Sequence, residues 1–153
     1  MGSATFRMTC EALPTARLTA IEIDSDVASS VLYAKADALA GAMAVCQPSV
    51  MESFSLVLME AWLARVPVLV NGACAVTREH VQQSRGGLYF HNYATFEATV
   101  DWLWTHREQR LRLGENGRRY VIANYSWDAV VNRFQRALEV WQAAPYSSRG
   151  YWG

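Results

Sequence analysis

The stretch PSVMESFSLVLMEAWLARVPVLV (48–70) holds two carboxylates, Glu52 and Glu60, eight positions apart in mostly apolar surroundings. A carboxylate accepts two hydrogen bonds at once and so suits a pair of vicinal hydroxyls. On one helix the two would stand ~12 Å apart along the axis and ~80° around it. That exceeds the ~5–9.5 Å of a carboxylate pair that works on a single glycosidic bond. The pair is better spaced to hold two parts of one long ligand. Between them, the backbone N–H groups of Phe54, Ser55 and Leu56 fall where a helix would start. Unpaired donors and the positive end of the helix dipole make such a start an anion site. The order carboxylate, anion cradle, carboxylate matches a nucleotide diphosphate sugar: sugar hydroxyls, diphosphate, ribose hydroxyls. A plainer reading stands beside this one. Glu52 would simply favour the helix dipole, and Glu60 would be partly exposed or paired with Arg65.

The elements that must position these residues follow from periodicity. DVASSVLYAKADALA (26–40) reads as a helix with Val27, Val31, Leu32 and Leu39 on its apolar stripe. AMAVCQPS is a short apolar run closed by Pro48 and Ser49, the pattern of a buried strand ending in a loop. From Phe54 to Arg65 the chain reads as a helix apolar nearly all round, which predicts burial on every side. VPVLVNG (66–72) is a second, β-branched strand, CAVTREHVQQS a short helix, and RGGLYF a turn into a third strand, Leu88 to Phe90.

The rest reads as helical. Phe96, Val100, Leu103 and Trp104 share one face, and Gly114 and Gly117 interrupt a weaker pattern over 107–123. Ser126 is a natural N-cap for a last helix with Trp127, Val130, Val131, Phe134, Leu138 and Trp141 on one side, read as core. Short buried strands alternating with helices predict a parallel α/β sheet, which binds ligands beyond the C-terminal ends of its strands. Pro48 to Ser53 and Asn71 to Ala75 lie at such ends. ARLTAIEID (16–24) could add a strand. Residues 1–30 are otherwise poorly patterned, 31–142 form the predicted domain, and 143–153 read as a loose tail.

Composition narrows the partners. Fourteen Lys and Arg balance fourteen Asp and Glu, so no basic face points to nucleic acid. Cys10, Cys46 and Cys74 form no CxxC pair; Cys46 and Cys74 lie in apolar segments and read as reduced core thiols. His80, His91 and His106 have no metal-ligand spacing. No apolar run approaches the ~20 residues of a membrane span, and the first residues lack signal-peptide character. A cytoplasmic location is the expectation.

The segment YAKADALAGAMAVCQPSVMESFSLVLMEAWLARVPVLVNGACAVTREH resembles the donor-binding domain of the glycosyltransferase family 4 enzymes, retaining transferases of the two-domain GT-B fold. Pro48-Ser49, Glu52-Ser53-Phe54-Ser55, Glu60-Ala61 and Pro67-Val68 fall at the family's intervals. GGLYF and LRLGENGRRYVIANYSWDAVVNRF are similar to its later elements, so the likeness runs over roughly 31–140. The chain departs from the pattern in two places. Val66 stands where the family has glycine before the Pro-Val strand, and NGACAV replaces a glycine-rich loop, with Glu79 near the position of the glutamate that follows it.

The resemblance implies an α/β, Rossmann-like parallel sheet flanked by helices, the C-terminal half of a GT-B fold. It implies retaining hexosyl transfer from a nucleotide-sugar donor, without a metal or other cofactor. Glu52 would be the catalytic contact to the transferred sugar. Ser53, Phe54, Ser55 and Leu56 would give backbone amides to the diphosphate, and Glu60 would bind the ribose hydroxyls. With no Arg/Lys-Gly signature in 1–30 and no room for an acceptor domain, the chain reads as a truncated transferase. Its acceptor half would come from a partner domain or a second copy. The alternative is a non-catalytic nucleotide-sugar-binding or self-associating module.

Overall fold

A computed structural model of the chain describes residues 30–143. The chain divides into two units, Met1–Lys35 and Ala36–Gly153; the first falls almost wholly outside the described residues, and the second is taken by itself. The expected strand at 16–24, the start of the helix at 26 and the tail beyond 143 also lie outside them.

The described elements run α1 (Ser30–Gly41), β1 (Val45–Gln47), α2 (Leu56–Leu63), β2 (Val68–Asn71), α3 (Ala75–Ser84), β3 (Gly87–Phe90), α4 (Tyr93–Thr105), α5 (Arg107–Tyr125) and α6 (Trp127–Ala143). The three strands form a parallel sheet in the order β1-β2-β3, with Val45 beside Val68 and Val68 beside Gly87. This is the expected Rossmann-like α/β arrangement. β2 is central, and its run Val68, Leu69 and Val70 is fully buried, as a β-branched strand covered on both faces should be. Both crossovers step the same way along the sheet, so a common hand puts α2 and α3 on one face. Leu58, Met59, Ala61 and Trp62 of α2, Val81 of α3 and Val121 of α5 join Val68 and Val70 in one core there.

The join of α2 to α5 depends on two glycines. A methyl group at Gly114 would run into the backbone carbonyl of Arg65, and one at Gly117 would run into the Trp62 indole. The Trp62 Nε1–H donates to the Gly86 carbonyl at 2.8 Å, and the ring meets Tyr120 edge-on at 5.8 Å between centroids. Gly114 and Gly117 therefore do not interrupt a helix. α5 is continuous, and the glycines are one turn apart on the face where it must approach α2 closely. α2 ends in a Schellman motif: Arg65 N–H donates to Trp62 O at 2.9 Å and Val66 N–H to Ala61 O at 2.8 Å. Arg65 itself takes the left-handed conformation usually given to glycine (φ 61°). Its guanidinium Nε pairs with Glu115 of α5 at 3.1 Å.

Three expectations about burial need correction. α2 is not buried all round: Leu56 and Leu63 are 69% and 46% exposed, because the sheet and α5 cover only its middle. Cys46 is exposed, because it faces outward from β1, the edge strand of the described sheet; Cys74 is buried as expected. The α6 face is not core. Trp127, Phe134 and Trp141 are exposed, and no residue of α6 is buried, because α6 leaves α5 at the Ser126 cap and no other described element covers that side. Ser126 does cap α6, accepting from Ala129 N–H at 3.3 Å.

The glycine contact gives a direct test. Gly117→Ala should lower unfolding free energy by about 2 kcal/mol, the usual scale of overpacking. Gly41→Ala, at a position with nothing within 4 Å of the new carbon, should be neutral or stabilising by up to ~1 kcal/mol. Urea denaturation of the two variants beside the wild type checks both. Equal effects would mean that α5 does not depend on the close approach.

Candidate functional site

Because the strands are parallel, the loops after β1 and β2 leave the sheet at the same edge. Between them lies a cleft of about 600 Å³, walled by Val50 to Ser53 on one side and by Ala73 to Val76 on the other. Of the residues singled out in the sequence, Glu52 and Ser53 line it. Phe54, Ser55, Leu56 and Glu60 do not. Val50 and Met51 are exposed and form an apolar lip.

Side chains from the strand ends shape both walls. Gln47, the last residue of β1, donates from Nε2 to Glu52 Oε1 at 2.9 Å. Ser49 Oγ donates to the Met51 carbonyl at 2.9 Å, closing the turn before Glu52. Asn71, the last residue of β2, clasps both loops: Nδ2 donates to Pro48 O at 3.1 Å, and Oδ1 accepts from Ala73 N–H at 2.9 Å. Arg78 holds the second loop from behind, donating to the Gly72 carbonyl at 2.6 Å. α3 starts at Ala75, so the amides of its first turn lie beside the same cleft. Burial pushes the Cys74 thiol up. The Thr77 side chain and the backbone amides of Thr77, Val76 and Glu52 around the sulfur outweigh that and bring it below the usual thiol range.

α2 begins at Leu56, two residues later than expected. Phe54 and Ser55 therefore precede the helix, and Glu52 lies in the loop, so the spacing calculated for two helical glutamates does not apply. The first-turn donors belong to Leu56 and the residues after it. Leu58 N–H is already engaged with the Ser55 carbonyl at 3.1 Å. Glu60 is half-buried on α2 beyond the cleft. Arg65, considered as its salt-bridge partner, pairs with Glu115 through its Nε.

Ser55 is the N-cap of α2 in a left-handed conformation (φ 64°, ψ 75°), and its side chain makes no capping bond. The hydroxyl is buried and, among the described residues, is the one buried side-chain polar atom with no hydrogen-bond partner. A β-carbon at such a φ and an orphaned buried hydroxyl each cost about 1–3 kcal/mol. The turn between Glu52 and α2 is thus strained, and its neighbours must hold it.

Phe54 shows how. Its ring meets His80 of α3 and Tyr125 at the end of α5 edge-on, at 5.4 and 5.1 Å between centroids. Burial holds the His80 imidazole below its ordinary pKa against the opposing pull of Glu79. Burial pushes the Tyr120 phenol far above its ordinary value. Among the described residues, no group of three or more His, Cys, Asp or Glu could hold a metal ion. None of the described helices is long and apolar enough to cross a membrane.

The model of the family described as glycosyl transferases group 1 matches residues 31–120, more than half of the 153-residue chain. The chain belongs to the group 1 glycosyl transferases. No curated protein matches it, and no solved structure does. Membership supports glycosyl transfer in general, with a nucleotide-sugar donor and an acceptor as the two substrates. The match runs from α1 to most of α5 and so includes both walls of the cleft.

Sequence reading missed Gln47 and the Phe54 contacts, and it placed Asn71 at the ligand edge without giving it a role. Gln47 and Asn71 were visible as polar residues closing apolar strands, which is where a sheet presents side chains to its ligand edge. Nothing in the sequence marked His80, Tyr120 and Tyr125 as neighbours of Phe54, since they come from elements up to 71 residues away.

Ser55→Gly should relieve both costs at the turn. After allowing for the greater freedom of glycine in the unfolded chain, it should raise stability by about 1 kcal/mol. In a thermal melt that is roughly 2–4 °C for a protein of this size. An unchanged or lower melting temperature would mean that Ser55 is not strained.

Proposed function

We propose that this chain supplies the donor-binding part of a retaining, family 4-type glycosyltransferase of the GT-B fold. The observation that carries the reading is the cleft at the ligand edge of the sheet, with the Glu52 carboxylate held at its wall by Gln47. In this reading the transferred hexose sits against Glu52, whose free lone pairs accept from sugar hydroxyls. The diphosphate lies along Ser53, Phe54, Ser55 and Leu56 and takes backbone amides at the start of α2. Glu60 accepts from the ribose hydroxyls.

The bond broken joins the anomeric carbon to a diphosphate oxygen. The bond formed joins that carbon to the acceptor hydroxyl oxygen on the same face, and the hydroxyl proton leaves with the diphosphate. Negative charge grows on the departing diphosphate. Preorganised amides at a helix terminus stabilise such charge without a metal. A strained turn supports the same reading, since strain of this kind collects at ligand clamps.

A two-domain GT-B enzyme also needs an acceptor-binding half, which in this reading is a further domain of the same protein or of a partner. Trp127, Phe134 and Trp141 recur every seven residues along α6 and stand exposed. That spacing lines up one apolar seam, and we assign it to the contact with the acceptor-binding half. A cytoplasmic enzyme, acting on cytoplasmic nucleotide sugars, is the location that goes with this chemistry.

Titration with UDP, GDP, ADP and their glucose or mannose conjugates, followed by melting temperature and calorimetry, tests the reading. One nucleotide should raise the melting temperature, because ligand that binds only the folded state stabilises it. Glu60→Ala should weaken that nucleotide about tenfold or more, the scale of a lost hydrogen bond to a charged group. Glu52→Ala should keep nucleotide binding and lose the preference for the sugar conjugate. A cooperatively melting wild type that responds to none of them, or a folded Glu60→Ala with unchanged affinity, would contradict the proposal.

A further inference from the structure

Behind Phe54 lies a branched network of hydrogen bonds that the donor reading does not use. Glu79 Oε1 accepts from Gln83 Nε2 at 2.9 Å. That bond fixes the Gln83 amide, so its oxygen is left to accept, and it accepts from the Tyr120 hydroxyl at 3.0 Å. A phenol has one proton, so Tyr120 must be the acceptor in its two other contacts. These are His80 Nδ1 at 3.0 Å and the Tyr125 hydroxyl at 3.2 Å. Both partners therefore donate. His80 carries its proton on Nδ1, and the Tyr125 O–H points at Tyr120. With one donation and two acceptances, the Tyr120 hydroxyl is saturated.

The consequence is geometric. The two rings that this hydroxyl orients, His80 and Tyr125, are the two that meet Phe54 edge-on. Edge-to-face contacts depend on ring orientation and contribute about 0.5–1.5 kcal/mol each beyond area. Phe54 is directly followed by Ser55, whose left-handed backbone and unpartnered hydroxyl must be offset by something nearby. Two oriented ring contacts, about 1–3 kcal/mol together, offset part of that cost. Glu52 precedes Phe54 by two residues, so the same grip sets the wall of the cleft.

We infer that Tyr120, with His80 and Tyr125, positions the Glu52–Leu56 turn through Phe54. These are positioning residues and touch neither substrate. As a statement about donor binding, the inference rests on the proposed function above; as a statement about the turn, it stands alone. Tyr120→Phe removes the hydroxyl and keeps the ring, including its contact with Trp62. Phe54→Leu removes the ring edge and keeps an apolar side chain.

Amide hydrogen exchange on the full chain, free of ligand, decides the matter. Both variants should speed exchange across residues 50–57 about tenfold, while residues 96–103 of α4 stay as in the wild type. Unchanged exchange at 50–57 in both variants would overturn the inference. So would an equal rise in both segments, because that is general destabilisation. UDP, GDP and ADP are then titrated separately against wild type and Tyr120→Phe. Where the wild type binds one, affinity should fall several-fold in the variant at nearly unchanged melting temperature; undiminished affinity would overturn the role in donor binding. If the wild type binds none, the donor reading fails, and the exchange result still decides whether the cluster holds the turn.

Discussion

The Trp62 indole lies fully buried where α2, α5 and the approach to β3 meet, and its N–H is satisfied by the Gly86 carbonyl. A buried indole needs both a partner for its nitrogen and space for its ring. Gly86 and Gly117 supply the space: a β-carbon at Gly86 would sit 2.6 Å from Gly117 Cα and 2.7 Å from the indole nitrogen. Three separate parts of the chain are thereby fixed at one point. α2 cannot slide along α5 without driving the ring into backbone, because close-packed interiors leave no slack for it.

That constraint reaches the candidate site through the sheet and through α5. α2 anchored at Trp62 sets where its first turn begins, and with it the turn from Glu52 to Leu56. α5 anchored at Gly117 carries Tyr120 one turn on and Tyr125 at its end, beside α3 and Phe54. The loop is therefore held from its far end by Gln47 and Asn71, and from its near end by aromatic rings. Rigid elements position a local strain that an isolated loop would relax.

Much of this was legible in the sequence where a local rule governs the element. The strand at Val68 to Asn71 is a β-branched run, and Ser126 opens a helix as its hydroxyl suggests. The cleft was foreseeable as the end of two parallel strands. Where a contact between distant segments decides, the local signal misled. Gly114 and Gly117 look like helix breakers until Arg65 and Trp62 are seen against them. Leu56 and Leu63 look like core because composition does not tell how far a neighbour extends. The amphipathic pattern of α6 names a face without naming what covers it. The shift of the α2 start to Leu56 comes from the left-handed Ser55, a conformation that serine does not advertise.

The proposed donor site puts a nucleoside diphosphate at the ligand edge of the sheet, beside Glu52. Backbone amide chemical shifts, followed while UDP, GDP or ADP is added to the labelled protein, test it most directly. Saturable shifts are expected for one of the three, concentrated at residues 52–57 and 73–77. Saturable shifts that cluster elsewhere, such as along α6, or no shifts with any of them, would contradict it.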